Sequence, residues 1–241
     1  MYLLRVMMGA VLVFGLVNAP LAAADPVASP KPASSADVAS PDTGPADAVL
    51  TGQRMIAVVE NLHQALLAAG RAHPTDTAAR AAALAPELAR AYDFEAMLRL
   101  IAGTHWTTAT PRARAAAAAA FADYSAALYA SRFEGGEGVR FKTQGAFQGP
   151  RGTVVVRTHL LAPGIEPVSL DYVLRPGAGE GAPAIQDVLV DGGISEVATR
   201  RSEFDRSLKE GGLETLAEAL KAQTRALLDA APPAQAATPA E

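Results

Sequence analysis

The sequence predicts an α+β domain: a curved antiparallel four-stranded sheet, a meander, packed with N- and C-terminal helices. Three observations predict it. Apolar residues recur at helical spacing over the first half of the folded part, at period two from Gly138, and at helical spacing again after Gly193. The connections between the period-two segments are too short for crossovers, so neighbouring strands run antiparallel. The order helices, strands, helices then places the helices on one face of the sheet.

The elements follow in order. In "AVLTGQRMIAVVENLHQALLAAG" Ile56, Val59, Leu62 and Leu66 share a helical face, and Gly70 ends the run. A second helix is expected from Thr75, as its cap, to Arg90. Asp93 suits the N-cap of "FEAMLRLIAG", with Phe94, Met97 and Ile101 on one face and Gly103 as the stop. Thr110 caps the next helix, with Pro111 at its first position, and Phe121, Tyr124, Leu128 and Phe133 trace a stripe along alanine. The strands are "VRFKTQGAF", "TVVVRTHLL", "VSLDYVLR" and "AIQDVLV", separated by Gly- and Pro-rich turns. Helix resumes from Ser195 to about Leu208 and from Leu213 to about Asp229.

Composition narrows the function classes. The 241 residues carry a net charge of −4 and include no cysteine. That excludes thiol catalysis, disulfides and Cys-based metal sites, and offers no electrostatic footprint for nucleic acid. Half the residues are hydrophobic but only 5% are aromatic. Alanine-rich helices fill little volume, so the core draws its bulk from a few large residues or leaves a cavity.

"MYLLR" followed by "VMMGAVLVFGLVNAPLAAA" reads as a signal peptide over residues 1–24, cleaved after the A-x-A pattern that ends at Ala24. A retained membrane anchor is the rival reading. Residues 25–46 and 230–241 are Pro/Ala-rich extensions with little to bury, expected to be disordered. The folded part is expected over 47–229, soluble and exported.

Chemical motifs are sparse. His63, His73, His105 and His159 lie on different elements without the spacing of a zinc site. No G-x-S-x-G elbow is present. Asp171 and Asp187, on neighbouring strands, are a formal acid/base pair, and such residues more often face solvent or satisfy backbone donors. "DGGIS" supplies neither a P-loop nor a dinucleotide fingerprint, so Gly192 and Gly193 serve the turn from strand to helix. Ser195 reads as an N-cap, and Arg200 and Arg201 suit a protein contact or a lipid headgroup. The stripe Phe94, Met97, Ile101, Trp106, Phe121, Tyr124, Leu128 and Tyr172 is either an ordinary core or the wall of an apolar cavity, and periodicity does not separate the two.

The ordered set "YDFEAMLRLIAGTHW", "TPRARAAAAAAFADYSAALYASRF", "VVVRTHL", "LDYVLR" and "IQDVLVDGGIS…RRSEF" resembles the MlaC/Ttg2D family of periplasmic lipid-binding components of ABC-type transport systems. "GISEVATRRSEF" is most similar to the hopanoid-associated HpnM branch. The family's last strand opens with Trp, a basic residue and Ile; here "APAIQDV" lacks the Trp.

The resemblance implies a carrier rather than an enzyme, holding the tails of a phospholipid or hopanoid in its pocket and needing no cofactor. It also implies an inner-membrane ABC-type complex and an outer-membrane component as partners, with transient membrane contact. Carried onto this sequence by period and position, the lipid-binding candidates are Phe94, Met97, Ile101, Trp106, Phe121, Tyr124, Leu128, Val154, Val156, Leu170, Tyr172 and Val188. Arg200 and Arg201 are the candidates for headgroup or partner contact. Between Ile185 and Val190 both strand faces are apolar, so the inward face there stays open. An enzyme with Asp187, Tyr172 or His105 converging in the pocket, and an interaction module with a filled core, are the alternatives.

Overall fold

The computed structural model describes residues 45–177 and 181–230. The expected signal peptide and its cleavage after Ala24, nearly all of the leader, and the tail beyond Ala230 lie outside the described residues.

The chain opens with α1 (Pro45–Ala72), α2 (Thr77–Ala91), α3 (Phe94–Ala102), the short α4 (Thr104–Thr108) and α5 (Pro111–Arg132). Three of these begin at a side-chain cap that accepts an orphan backbone N–H. Asp93 accepts from Ala96 and Thr110 from Ala113, as the sequence predicts. The cap of α2 is Asp76, accepting from Ala79 at 2.8 Å, and not Thr75. The helix begins one residue later than Thr75 requires.

Gly70 does not end α1, which runs on through Ala72. Its value is closeness: a Cβ there would lie 2.5 Å from the Glu134 carbonyl oxygen. Only glycine lets the loop after α5 cross the helix at that distance.

Strands β1 (Arg140–Gln148), β2 (Val154–Leu161), β3 (Val168–Arg175) and β4 (Ala184–Val190) pair in sequence order, all antiparallel. Among the described residues the sheet has five strands, not four. The two-residue β5 (Ile194–Ser195) turns back through Asp191–Gly193 and pairs with Leu189 and Val190. A strand of two residues has no period to read.

The last element, α6 (Glu196–Asp229), is interrupted at Gly211 and Gly212, where Gly212 takes φ +66°. The break falls in the gap expected between Leu208 and Leu213. Because α6 packs antiparallel along α5 (Tyr124 beside Arg200, Phe121 beside Phe204), the start of α6 lies beside the end of α5.

Helices and sheet share one core. From the sheet it receives Val154, Val156, Leu160, Tyr172, Leu174, Ile185 and Val188, all buried. A bulge decides the inward face of β4. Val173 pairs with Asp187 but Leu174 with Ile185, which leaves Gln186 as the extra residue. Ile185, Val188 and Val190 therefore share the inner face, three and then two residues apart. A strict period of two cannot assign them, because the extra residue resets the alternation midway along the strand.

One buried cation ties the helices. Arg80 is 2% exposed. Its guanidinium donates to the carbonyl of Ala130 on α5 at 2.7 Å, to that of His73 after α1, and to the Thr77 hydroxyl.

Candidate functional site: an apolar cavity between the sheet and the ends of α5 and α6

A cavity of about 120 Å³ lies between the inner face of the sheet, the last turns of α5 and the first turn of α6. The sheet contributes Phe141, Leu160, Val168, Leu170, Tyr172, Val188 and Val190. Helix α5 contributes Leu128, Tyr129 and Arg132, followed by Phe133, while α1 adds Leu66 and α6 adds Glu196 and Arg200. Register explains the grouping. Phe141 stands opposite Leu160, Leu160 opposite Val168, Leu170 opposite Val190, and Tyr172 opposite Val188. These cross-strand neighbours tile one end of the sheet's inner face.

Of the twelve lipid-binding candidates, the structure brings Leu128, Leu170, Tyr172 and Val188 to this wall. The other eight are elsewhere in the core. Phe94 meets Phe121 edge-on at 5.5 Å, and Phe121 meets Phe204 at 5.9 Å, in the layer where α3, α5 and α6 pack. Met97 and Ile101 are buried on α3. Trp106 is buried, with the Arg99 and Arg114 guanidinium groups over its ring at 6.0 and 5.6 Å. Tyr124 lies under Arg200, Val156 is buried opposite Tyr172 without lining the cavity, and Val154 lies two residues further from it on the same strand, opposite Leu174.

The reason is length. A 22-residue helix such as α5 extends some 33 Å at ~1.5 Å per residue, and only its last turns, from Leu128 on, border the cavity. Phe133 and Phe141 carried a signal, being large residues on either side of the helix-to-strand change. Tyr129, Arg132 and Glu196 carried none.

Two hydrogen-bonded pairs hold the tyrosines. The Tyr172 hydroxyl meets His63 Nε2 at 3.0 Å, and the Tyr129 hydroxyl meets that of Tyr92 at 2.6 Å. Burial raises the Tyr129 hydroxyl to about 12, although the residue as a whole keeps some exposure. His63 stacks on Phe141 with centroids 3.8 Å apart, behind the cavity wall. Burial lowers its pKa from 6.5 to about 3, so the imidazole is neutral.

The sign of the linkage follows. The unfolded chain takes up a proton near pH 6.5 that the folded chain refuses until about pH 3, so this contribution to stability is whole above 6.5 and is lost as pH falls from 6.5 toward 3. Denaturant titrations at about pH 7.5 and 5.5 should differ by roughly 1.3 kcal/mol more in the natural protein than in His63→Gln. Equal pH dependence in the two would refute the assignment.

The polar end is built from α6 and the end of α5. Arg200 is 4% exposed. Its Nε and Nη2 donate to Glu196 Oε1 at 2.9 and 2.7 Å, and its Nη1 donates to Glu203 and to the Tyr124 hydroxyl. Burial opposes its charge, but Glu196, Tyr124 and Glu203 outweigh burial and hold its pKa above the ordinary value. Arg201, the next residue, is exposed and donates to the Leu100 carbonyl. Consecutive helical residues do not face the same way, so the two arginines do not act as a pair.

The strand-to-helix joint offers no anion site. Asp187 Oδ1 accepts from Val188 and Val197, its Oδ2 accepts from the Ser195 hydroxyl, and the Ser195 Oγ accepts from Ala198. Asp187 and Ser195 thus occupy the first amides of α6. Asp187 is committed to this pin and Asp171 to Arg157, 3.4 Å away. Neither these carboxylates nor His105 lines the cavity.

Comparison with known proteins places the chain. Seven solved chains match it. Among them is a phospholipid-binding protein from Ralstonia solanacearum, solved in complex with a phospholipid. It has 18% identity and a TM-score of 0.61, with 73% of this chain and 98% of that chain covered. At that identity the likeness establishes a shared α+β fold. None of the curated proteins matches the chain. The family model described as MlaC protein matches residues 57–222, well over half the chain and all five strands, so this protein belongs to the MlaC family.

Proposed function

We propose that this protein is a soluble periplasmic lipid carrier, shuttling a phospholipid or hopanoid between membranes with the lipid tails held in the cavity behind Leu170, Tyr172 and Val188. An apolar hollow with charged groups at one end is the observation that carries this reading. Family membership supports a binding or transport protein rather than an enzyme, and so does the phospholipid held by the Ralstonia protein of the same fold. The resemblance of "GISEVATRRSEF" to the hopanoid-associated branch supports a hopanoid as the alternative cargo. The partners under this reading are an inner-membrane ABC-type lipid transport complex and an outer-membrane component.

The energetics suit a carrier. Each methylene left in water costs about 0.8 kcal/mol, so a two-chain lipid leaves a bilayer slowly unless a pocket receives it. Exchange of bilayer for pocket keeps the transfer nearly neutral and needs no bond-making step. The cavity holds about 120 Å³, less than the roughly 150 Å³ that accepts one benzene. Loading therefore widens it, with the ends of α5 and α6 parting from the sheet. The break at Gly211–Gly212 lets the first half of α6 move without the second.

The test is organic extraction of the purified mature chain, from Asp25, followed by mass spectrometry. Stoichiometric phospholipid or hopanoid is expected. An extract that stays empty after incubation with lipid vesicles would overturn the proposal in favour of an interaction module.

A further inference from the structure

We infer that the charged end of the cavity selects a lipid whose polar head carries no net charge, in the phospholipid case a zwitterionic head. The inference rests on the carrier reading above. The charged residues of the cavity wall are Arg132, Glu196 and Arg200, with Glu203 one turn beyond Arg200 on α6. Two cations and two carboxylates sum to zero.

The cation with the best position cannot act as an anion receptor. The Arg200 fork is spent on Glu196 and Glu203 and stacks 5.5 Å over the Tyr124 ring. A phosphate reaching it meets both carboxylates, and a net-anionic head gains from Arg200 only what it loses to Glu196 and Glu203. A zwitterion has a partner for each sign. Its ammonium meets the Glu196 and Glu203 carboxylates, whose side chains are 30% and 41% exposed, and so offsets what its phosphate loses to them. Arg201 keeps its charge but stays out of the balance by position, because it is exposed, turned outward to the Leu100 carbonyl, and does not line the cavity. A hydroxylated hopanoid satisfies the same condition, since its head is uncharged.

The purified protein is incubated with vesicles of equal phosphatidylethanolamine and phosphatidylglycerol, separated from them, and its lipid analysed by mass spectrometry. Phosphatidylethanolamine is expected in excess on the order of fivefold, the scale of one partly exposed charge-assisted hydrogen bond. In Glu196→Gln/Glu203→Gln, Arg200 is released from its carboxylates and the ratio should invert. Glu203→Gln alone alters an exposed carboxylate, retains the fold, and should move the ratio part of the way. Equal or phosphatidylglycerol-rich extraction by the natural protein overturns the inference and leaves carriage intact, as does an unchanged ratio in folded Glu203→Gln. Recovery of neither lipid overturns carriage of phospholipid itself, and with it the selection of a zwitterionic head.

Discussion

Leu170→Trp should reduce lipid uptake from vesicles by on the order of tenfold or more while leaving the fold in place. Leu170 is half-buried on the inner face of β3, between Thr158 of β2 and Val190 of β4, and it lines the cavity. An indole replacing its side chain projects into a space of about 120 Å³. It displaces two or three methylenes of cargo, each contributing about 0.8 kcal/mol. Because Leu170 stands at the partly exposed side of the wall, the larger ring has room to lean outward, which keeps the overpacking penalty near the low end of about 1–3 kcal/mol. Phe94→Leu is the control. It alters a site-candidate residue that the structure places between α3 and α5, and it should lower stability without changing uptake. Uptake unchanged in Leu170→Trp but lost in Phe94→Leu would move the lipid site to the α3–α5 layer.

Arg80→Met should destabilise the protein by about 3 kcal/mol, a fall in Tm of roughly 10 °C for a domain of this size. The substituted side chain fills much of the same space but donates nothing. The carbonyls of Ala130 and His73 then lose their charged donor inside the core, and each such loss costs about 1–3 kcal/mol. Arg80→Lys should recover part of the loss, because an ammonium reaches one carbonyl but lacks the planar fork that reaches two. Thermal unfolding of the three proteins followed by circular dichroism checks the order natural, Lys, Met. If the Met variant matched the natural protein, Arg80 would be a passenger rather than the tie between α2, α5 and the end of α1. Lipid uptake at low temperature should be unchanged in the Lys variant, since Arg80 does not line the cavity.

What the sequence determined by itself is local. Asp93 and Thr110 cap their helices because their side-chain oxygens lie within reach of an amide three residues on, whatever surrounds them. The break near Gly211 and Gly212 and the bounds of the strands over 168–175 and 184–190 are legible for the same reason: backbone preference and short-range alternation act over a few residues. The family resemblance was legible as well, because it rests on the order of such pieces. Only the tertiary structure decided which large residues surround a hollow. Phe121 and Leu128 occupy one helical stripe, yet the first fills the layer beneath α6 and the second lines the cavity, because they stand two turns apart and only the last turns of α5 border the cavity. The inward face of β4 was likewise decided at Gln186, where one unpaired residue shifts the alternation. Arg200 and Arg201 are adjacent in sequence and alike in chemistry. Rotation along the helix turns one into the cavity wall beside Glu196 and the other outward to Leu100, and hydrophobic periodicity assigns no direction to a charge.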